Sequence, residues 1–326
     1  MEQRNFNSGV RLKMKLGVVM DPIETINFKK DSTLAMMIEA QRKGHEIIYI
    51  TPDSLFINSG IPYASSNKMK VRNDPSDWFS KEEETLIKLS ELDSILMRQD
   101  PPFNSGYIYN TYVLEMAARQ GVNVFNNPRS LRDCNEKVYA TEFPQCCTKH
   151  LVTSRKDFLT DFVLENKDTV IKPLDGMGGA SIFRVKANDP NLNVILETIT
   201  DHFTEKVMIQ EFIPEITEGD KRILIVNGKP MSASIARVPA EGELRGNLAA
   251  GASAVAKSLS DRDLWICEEV GPSLVEKGLL LVGLDIIGDY LTEINVTSPT
   301  CFKEYKELCD IDVAKIFIES VEEFSK

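Results

Sequence analysis

The chain has 326 residues, 42% of them hydrophobic, and a formal net charge of −11, so it can form two or three domains of roughly 100–150 residues. The negative charge argues against nucleic acid or an anionic membrane as the main partner, because both require a basic face. No stretch approaches the roughly 18 apolar residues of a membrane helix and no signal-peptide pattern is present, which predicts a cytoplasmic protein.

The first third of the chain predicts an α/β domain. Residues 1–13 are polar, and we expect a disordered leader before a folded part that begins at Met14. The patterns that follow are strand 15–20, a helix capped by Asp31 and Ser32 and ended by Gly44, strand 45–50, strand 92–98, helix 106–119 and strand 122–125. This βαβ order predicts a parallel, Rossmann-like sheet in a domain that closes near residue 130.

Two stretches lack this regularity. Residues 57–85 are rich in Asn, Ser, Lys and Asp, which predicts a long excursion or a loosely ordered edge. The acidic runs 81–84 and 319–323 are interpreted as solvated faces of helices.

The segment after the first domain contains Lys137. Asp133 precedes Glu136 by three residues, a capping-box spacing, so we predict a helix that begins there. Lys137 would lie in the first turn of this helix, where the helix dipole disfavours a cation. That position suggests an anion-binding lysine, with a solvated lysine as the alternative.

A glycine-rich turn follows in VIKPLDGMGGASIFRV, residues 170–185. It is not a P-loop, because no lysine follows its last glycines, and it is not a dinucleotide fingerprint, because ASIFRVK alternates like a strand. We predict a hairpin with Gly176, Gly178 and Gly179 at its tip. A tight turn is the simplest interpretation; the absence of Cβ atoms over the whole loop favours a flap that binds phosphate, with Lys172 adding a charge.

The last third predicts two antiparallel hairpins. The first has strands 221–226 and 229–238 joined by Asn227-Gly228, and the second has strands 279–287 and 290–296 joined at Gly288-Asp289. A capped helix over 260–278 lies between them.

The second hairpin has the residues of a metal site. Glu293 and Asn295 are two apart on a strand and face one side, and their oxygen atoms suit Mg²⁺. A two-residue loop would place Asp285 opposite Thr292, whereas a three-residue loop, 288–290, places it opposite Glu293; we predict the three-residue loop. A solvent-facing acidic edge is the alternative, although strand 279–287 is too apolar for a surface strand.

Side-chain nucleophiles are not expected. The six cysteines have no CxxC spacing and should be reduced, and the three histidines form no triad or metal-ligand pattern.

Several motifs together resemble a known family. IKPLDGMGGASIFRVK, GDKRILIVNGKP, RGNLAAG and VGLDIIGDYLTEINVTSPT, in this order, resemble ATP-grasp ligases. MDPIETINFKKDS, LMRQDPPFN and NNPRSLRDCNEK extend the likeness to the bacterial glutathione synthetase family, from about residue 14 to the C-terminus. The resemblance implies a mixed α/β (α+β) ATP-grasp fold with an N-terminal pre-ATP-grasp domain, 14–132, a central lid, 133–213, and a C-terminal part, 214–326.

The same resemblance implies the site. ATP would lie between the lid and the C-terminal sheet, in contact with Lys137, Lys172, Gly176, Gly178, Gly179, Gln210, Glu211, Phe212 and Ile213. Asp285, Glu293 and Asn295 would hold Mg²⁺ or Mn²⁺. Arg222 would stabilise the acyl-phosphate oxygens, and the substrates would contact Arg237, Arg245, Asn247, Ser298 and Thr300.

The implied reaction joins γ-glutamylcysteine to glycine with ATP, through an acyl phosphate, in a homo-oligomer that is tetrameric by resemblance. Segment 241–254 resembles the family's mobile loop, with Ala252 where the family usually has a second glycine, which puts its hinging in question. Two alternatives stay open. One is an ATP-grasp ligase for other partners, such as a D-alanine dipeptide or glutamate; the other is a nucleotide-binding regulatory module without catalysis.

Overall fold

The computed structural model describes residues 13–176, 181–240, 242, 246 and 251–325. The leader expected over residues 1–13 therefore lies outside the description, apart from Lys13. The helices in the described residues are α1 (Ser32–Arg42), α2 (Ser105–Arg119), α3 (Pro128–Asp133), α4 (Lys156–Asn166), α5 (Leu192–Ile199), α6 (Asp261–Glu276), α7 (Phe302–Cys309) and α8 (Val313–Phe324). Over these same ranges, no helix is both long enough and apolar enough to cross a membrane.

The first sheet contains β1 (Lys15–Val19), β2 (Glu46–Ile50), β3 (Leu55–Asn58), β4 (Ile61–Val71), β5 (Phe79–Lys88), β6 (Ser94–Met97) and β7 (Asn123–Phe125). Strands β2, β1, β6 and β7 are parallel neighbours in that order, which confirms the predicted βαβ units. The predicted cap of α1 is also confirmed, because the Asp31 carboxylate accepts a 2.6 Å hydrogen bond from Leu34 N–H.

The prediction for residues 57–85 is wrong. This stretch forms β3, β4 and β5, and the long β4 pairs antiparallel with β2, β3 and β5. The pattern was hidden because β4 buries small or polar residues such as Ala64 and Ser66, and because β5 is almost entirely exposed. The acidic run 81–84 therefore lies on a strand, whereas the run 319–323 lies on α8 as predicted.

The second sheet, which we call the lid sheet, consists of β8 (His150–Thr153), β9 (Asp168–Pro173), β10 (Phe183–Lys186) and β11 (Val207–Glu211). Its order is β10-β9-β11-β8, and all its pairs are antiparallel. The pairing of β9 with β10 confirms the two arms of the glycine hairpin, with Ile171 opposite Phe183. The tip of that hairpin, residues 177–180, lies outside the described residues.

The third sheet consists of β12 (Asp220–Val226), β13 (Lys229–Pro230), β14 (Ala233–Val238), β15 (Ser253–Ser258), β16 (Leu281–Ile287) and β17 (Tyr290–Asn295). The order β15-β14-β12-β16-β17, with β13 on β12, confirms both predicted hairpins. The predicted helix between them is α6, whose cap is Ser260: its hydroxyl accepts from Asp263 N–H at 3.1 Å.

The helix predicted to begin at Asp133 is wrong, because α3 ends at that residue. The helix begins earlier in the chain, at Pro128. The Asn127 side chain caps α3 by accepting a 2.9 Å hydrogen bond from Arg129 N–H, and proline occupies the first helical position. After α3, the Asn135 side chain accepts from the N–H groups of Lys137 and Val138. Lys137 is thus held in an Asx-type turn.

The packing separates the lid sheet, with α4 and α5, from the other two sheets. One hydrophobic cluster contains lid residues only, with Leu159, Val163, Ile171, Leu196 and Ile209 among its members. The two larger clusters each combine residues of the first and third sheets. The first and third sheets therefore share a core, and the lid sheet stands over it on a core of its own.

Candidate active site

A cleft of about 360 Å³ lies between the lid sheet and the third sheet. The predicted residues that line it are Lys137, Lys172, Gly176, Gln210, Phe212, Ile213, Arg222, Arg237, Asp285, Glu293, Asn295, Ser298 and Thr300. Glu211 ends β11 but is not among the lining residues. Gly178, Gly179, Arg245 and Asn247 lie outside the described residues, so the structure does not place them.

Two buried lysines meet one carboxylate at the base of the glycine hairpin. Lys137 Nζ lies 2.5 Å from Glu136 Oε1, 2.9 Å from the carbonyl oxygen of Gly176 and 3.6 Å from Glu293 Oε1. Lys172 Nζ lies 3.4 Å from the same Glu293 oxygen. Because only 2% of Lys137 is exposed, the alternative of a solvated lysine is wrong.

Two buried arginines meet the other acidic residue. Arg222 donates from Nε and Nη2 to the two carboxylate oxygens of Asp285, at 2.5 and 2.9 Å, and Arg237 Nη2 lies 2.9 Å from Asp285 Oδ2. A Cβ atom on Gly283 would lie 2.9 Å from Arg222 Cδ, so glycine at this position lets the arginine side chain cross β16. The fork geometry fixes the guanidinium at the floor of the cleft.

Asp285 lies directly opposite Glu293, but not for the predicted reason. The turn has two residues, because Ile287 pairs with Tyr290, and the predicted three-residue loop is wrong. The extra residue is Thr292, at a β-bulge where its hydroxyl donates to the carbonyl oxygen of Asp285 at 3.0 Å. The bulge restores the register, so Asp285 and Glu293 share one face as expected.

The surrounding cations hold both carboxylates ionised. Burial acts to raise the pKa of Asp285, but Arg222 and Arg237 outweigh it and keep that pKa below its ordinary value. Burial likewise opposes ionisation of Glu293, and Lys137 and Lys172 lower its pKa overall. Both acidic residues are therefore anionic at neutral pH.

The donor set fits a hard divalent cation. Asp285 and Glu293 supply ionised oxygens, and Asn295 uses its Nδ2 group on Gly283 O and Asp285 Oδ2, which leaves its amide oxygen for another partner. In the described part of the chain, no three His, Cys, Asp or Glu side chains are grouped so that they could hold a metal ion. The predicted set therefore depends on the amide oxygen of Asn295.

The opposite end of the cleft is mostly apolar. Its lining includes Val170, Ile182, Phe212, Ile213, Ile216 and Ile287. The Arg184 guanidinium lies 3.6 Å from the centroid of the Phe212 ring, and Asp168 holds it through bonds of 2.8 and 2.6 Å. An apolar space with a guanidinium stacked on an aromatic ring at its edge suits a nucleobase.

Sequence reasoning missed four charged residues that line the cleft, namely Asp100, Glu136, Arg184 and Asp220. Glu136 was interpreted only as part of a capping box. Asp220 could have been found, because it lies two residues before Arg222 on the same strand and so faces the same side. The expectation of reduced cysteines is confirmed: all six are free, although Cys301 lines the cleft.

The fold and the cleft define an ATP-grasp protein. The structure is similar to that of the ATP-grasp ligase PsnB complexed with minimal precursor, with a TM-score of 0.63, 15% identity and coverage of 97% of this chain and 100% of that one. It is also similar to D-cycloserine synthetase DcsG, with a TM-score of 0.67, 12% identity and coverage of 96% and 100%. At these identities the likeness establishes the fold alone.

Sequence comparison identifies the family. The model of the prokaryotic glutathione synthetase N-terminal domain matches residues 14–132, and that of the prokaryotic glutathione synthetase ATP-grasp domain matches residues 136–310. The glutathione synthetases of Pseudomonas aeruginosa and Vibrio parahaemolyticus are each 52% identical, over 310 and 309 residues, with 95% of this chain and 98% of each relative covered. The chain belongs to the prokaryotic glutathione synthetase family. It is an ATP-dependent ligase, and its ATP-grasp domain implies ATP and a divalent metal ion.

Proposed function

We propose that this protein joins γ-glutamylcysteine to glycine at the expense of ATP, giving glutathione, ADP and phosphate. The main support is the cleft itself, in which two lysines, two arginines and two carboxylates from separate parts of the chain converge. The cysteinyl carboxylate attacks the γ-phosphate, and the glycine amine then attacks the acyl phosphate that forms. Such chemistry depends on positioning and charge neutralisation rather than on a side-chain nucleophile.

The proposed ATP site spans the two ends of the cleft. Lys137 and Lys172 bind phosphate oxygens, and the glycine hairpin with Gly176, Gly178 and Gly179 covers them. The adenine lies against the apolar end, beside residues 210–213, where Gln210, Glu211, Phe212 and Ile213 border it. The stacked Arg184 and Phe212 form one wall of this end.

The proposed metal is Mg²⁺, with Mn²⁺ as a substitute, held by Asp285, Glu293 and Asn295. When bound, the cation supplies neutralisation of the phosphate charge. Arg222 stabilises the oxygens of the acyl phosphate. Its burial supports this role, because a guanidinium acts more strongly on charge in a cleft from which water is largely excluded.

The remaining assignments concern the substrates and the whole protein. Arg237, Ser298 and Thr300 line the cleft and are proposed to contact the dipeptide or glycine, as are Arg245 and Asn247. We propose that the chain is organised as domain 14–132, lid 133–213 and C-terminal part 214–326. A cytoplasmic homotetramer, with small-molecule substrates and no nucleic acid or membrane partner, completes the proposal.

The test is ADP release with one component omitted at a time. Purified protein should release ADP steadily only with ATP, Mg²⁺, γ-glutamylcysteine and glycine together, and mass spectrometry should identify glutathione. A panel containing D-alanine and glutamate distinguishes the other ligases, which would turn over without γ-glutamylcysteine. Binding of ATP without turnover on any pair would favour the regulatory module instead.

A further inference from the structure

Asp220 is a cleft carboxylate to which the proposed reaction assigns no role. It is the first residue of β12, and its Oδ2 accepts a hydrogen bond from Arg237 Nη2, while Arg237 Nε donates to its backbone oxygen at 3.4 Å. Its other carboxylate oxygen, Oδ1, is buried and has no hydrogen-bond partner within the described residues. A buried carboxylate oxygen without a hydrogen-bond donor lowers the stability of the fold, so a ligand that donates to Asp220 Oδ1 would explain why this group is present.

Three other acidic residues of the cleft already have cationic partners. Glu136 pairs with Lys137, Glu293 faces both lysines, and Asp285 takes two guanidinium groups. Among the described residues of the cleft, Asp220 differs from these three because one of its carboxylate oxygens is buried and has no hydrogen-bond partner. An incoming amine can supply the missing donor.

The position of Asp220 matches the place where an amine must arrive. Successive same-face residues on a strand are roughly 7 Å apart, so Asp220 stands about one side chain from Arg222, which is proposed to stabilise the acyl phosphate. Asp220 is also covered on one side by Gly246, where an added Cβ would lie 2.8 Å from Asp220 Cβ. An amine that binds between Asp220 and Arg222 would therefore lie beside the guanidinium that is proposed to hold the acyl phosphate.

We propose that Asp220 Oδ1 binds the amine of the acceptor amino acid and takes the proton that the amine loses before attack; this inference rests on the proposed function. One N–H proton passes from the ammonium group to Oδ1, and the freed electron pair forms the C–N bond. The bond from the acyl carbon to the phosphate oxygen breaks, and phosphate leaves with that electron pair. The phosphate accepts the second N–H proton as the amide forms, so protons and charge balance.

The charges around Asp220 suit this role. Burial raises its pKa, Arg237 on β14 and Arg222 on β12 lower it, and Asp285 on β16 and Glu293 on β17 raise it, with a resulting pKa of about 7. A carboxyl group in this range exchanges a proton readily near neutral pH. The ordinary pKa of an aspartate would make it a much weaker base.

The decisive test compares two acceptors in the variant Asp220→Asn. Hydroxylamine is already unprotonated at neutral pH and traps an acyl phosphate without a protein base, whereas glycine arrives as an ammonium ion. With ATP, Mg²⁺ and γ-glutamylcysteine, we expect the hydroxylamine-dependent rate to stay within about 3-fold of wild type and the glycine-dependent kcat to fall about 100-fold or more. In wild type, kcat with glycine should rise with pH as Asp220 loses its proton, and this rise should disappear in the variant.

Two controls separate the outcomes. Asp168→Asn also removes a carboxylate from a cleft arginine, Arg184, and should change the rates with the two acceptors equally. Asp220→Glu, which keeps the base, should recover part of the glycine rate, and thermal melting of each variant confirms folding. If Asp220→Asn lowers both rates equally, Asp220 acts only by positioning Arg237 and the inference is wrong. If wild type releases no ADP with either glycine or hydroxylamine, the proposed function fails instead.

Discussion

The charged residues of the cleft neutralise one another. Lys137 and Lys172, which are proposed to bind phosphates, face Glu293, and Arg222 and Arg237 enclose Asp285. Each of these four cations is thus paired with a proposed ligand of the metal ion. Binding of a metal–nucleotide complex would replace these ion pairs, because the phosphates would pair with the cations and the metal ion would bind the carboxylates.

Glu293→Gln tests the metal assignment. The variant keeps the shape of the side chain but loses the charge, so we expect kcat to fall at least about 100-fold while the protein stays folded. ADP release and thermal melting measure the two effects. Glu115→Gln is the matched control, because Glu115 likewise faces two cations, here Arg119 and Arg132, but lies on α2 outside the cleft. Normal turnover by Glu293→Gln would remove Glu293 from the metal site.

Lys172→Met tests the exchange of ion-pair partners. Loss of this ammonium should weaken ATP binding at least about 10-fold, because a buried contact with a phosphate is removed. In the absence of nucleotide the same variant should bind Mn²⁺ several-fold more tightly, since one cation no longer competes for Glu293. Calorimetry and the electron spin resonance of free Mn²⁺ measure the two affinities.

The control for this experiment is Lys156→Met, on the exposed side of α4, where neither affinity should change. If Lys172→Met lowers the affinity for Mn²⁺ as well as the affinity for ATP, Lys172 does not compete with the metal ion for Glu293.

Residue spacing predicted part of the site. Glu293 and Asn295 were placed on one face because strand residues alternate, and that rule needs no tertiary information. The unpaired oxygen of Asp220 could not be predicted, because it depends on which donors of other strands reach it. The bulge at Thr292 could not be predicted either, because the sequence does not show whether the extra residue lies in a bulge or in a longer loop.

At the scale of elements, Asn126 joins the first and third sheets. It follows β7, and its side chain donates to the carbonyl oxygens of Leu281 and Val296, both at 2.7 Å, and accepts from Leu281 N–H at 2.9 Å. All three bonds are buried. This side chain therefore fixes the end of the parallel sheet against the strands that carry the acidic residues of the cleft.

Asn126→Leu should therefore destabilise the fold. The substitution leaves one N–H and two carbonyl groups without their partner, at a cost of about 1–3 kcal/mol for each buried group, so the free energy of unfolding should fall by at least about 3 kcal/mol. Urea denaturation measures this change. The control Asn58→Ala, at the exposed end of β3, should stay within about 0.5 kcal/mol of wild type. Equal stabilities of the two variants would show that Asn126 does not hold the sheets together.

The elements with strong periodicity were predicted, and the others were not. α1, α6 and the hairpins of the third sheet combine regular apolar spacing with a cap or an Asn-Gly or Gly-Asp turn. β5 escaped prediction because an exposed edge strand needs no apolar face. The start of the helix near Asp133 was misplaced because two capping signals compete, and Asn127-Pro128 comes first.

At the scale of the molecule, the lid sheet with α4 and α5 is the part most able to move. Its hydrophobic cluster contains no residue of the first or third sheet, whereas those two sheets share both larger clusters. Domain motion is the ordinary expectation where no common core joins two parts. Patterning alone could not predict this division, because cluster membership depends on tertiary packing; the likeness to a family supplied it.

We expect a single nucleotide to bind in the cleft between the lid sheet and the third sheet. The most direct measurement is a crystal structure of the protein with a non-hydrolysable ATP analogue and Mg²⁺. In that structure, phosphate oxygens should lie within hydrogen-bond distance of Lys137 and Lys172, and the metal ion should bind to Asp285, Glu293 and Asn295. A nucleotide bound elsewhere, or one bound in the cleft while Glu293 keeps both lysines and holds no metal, would contradict this expectation.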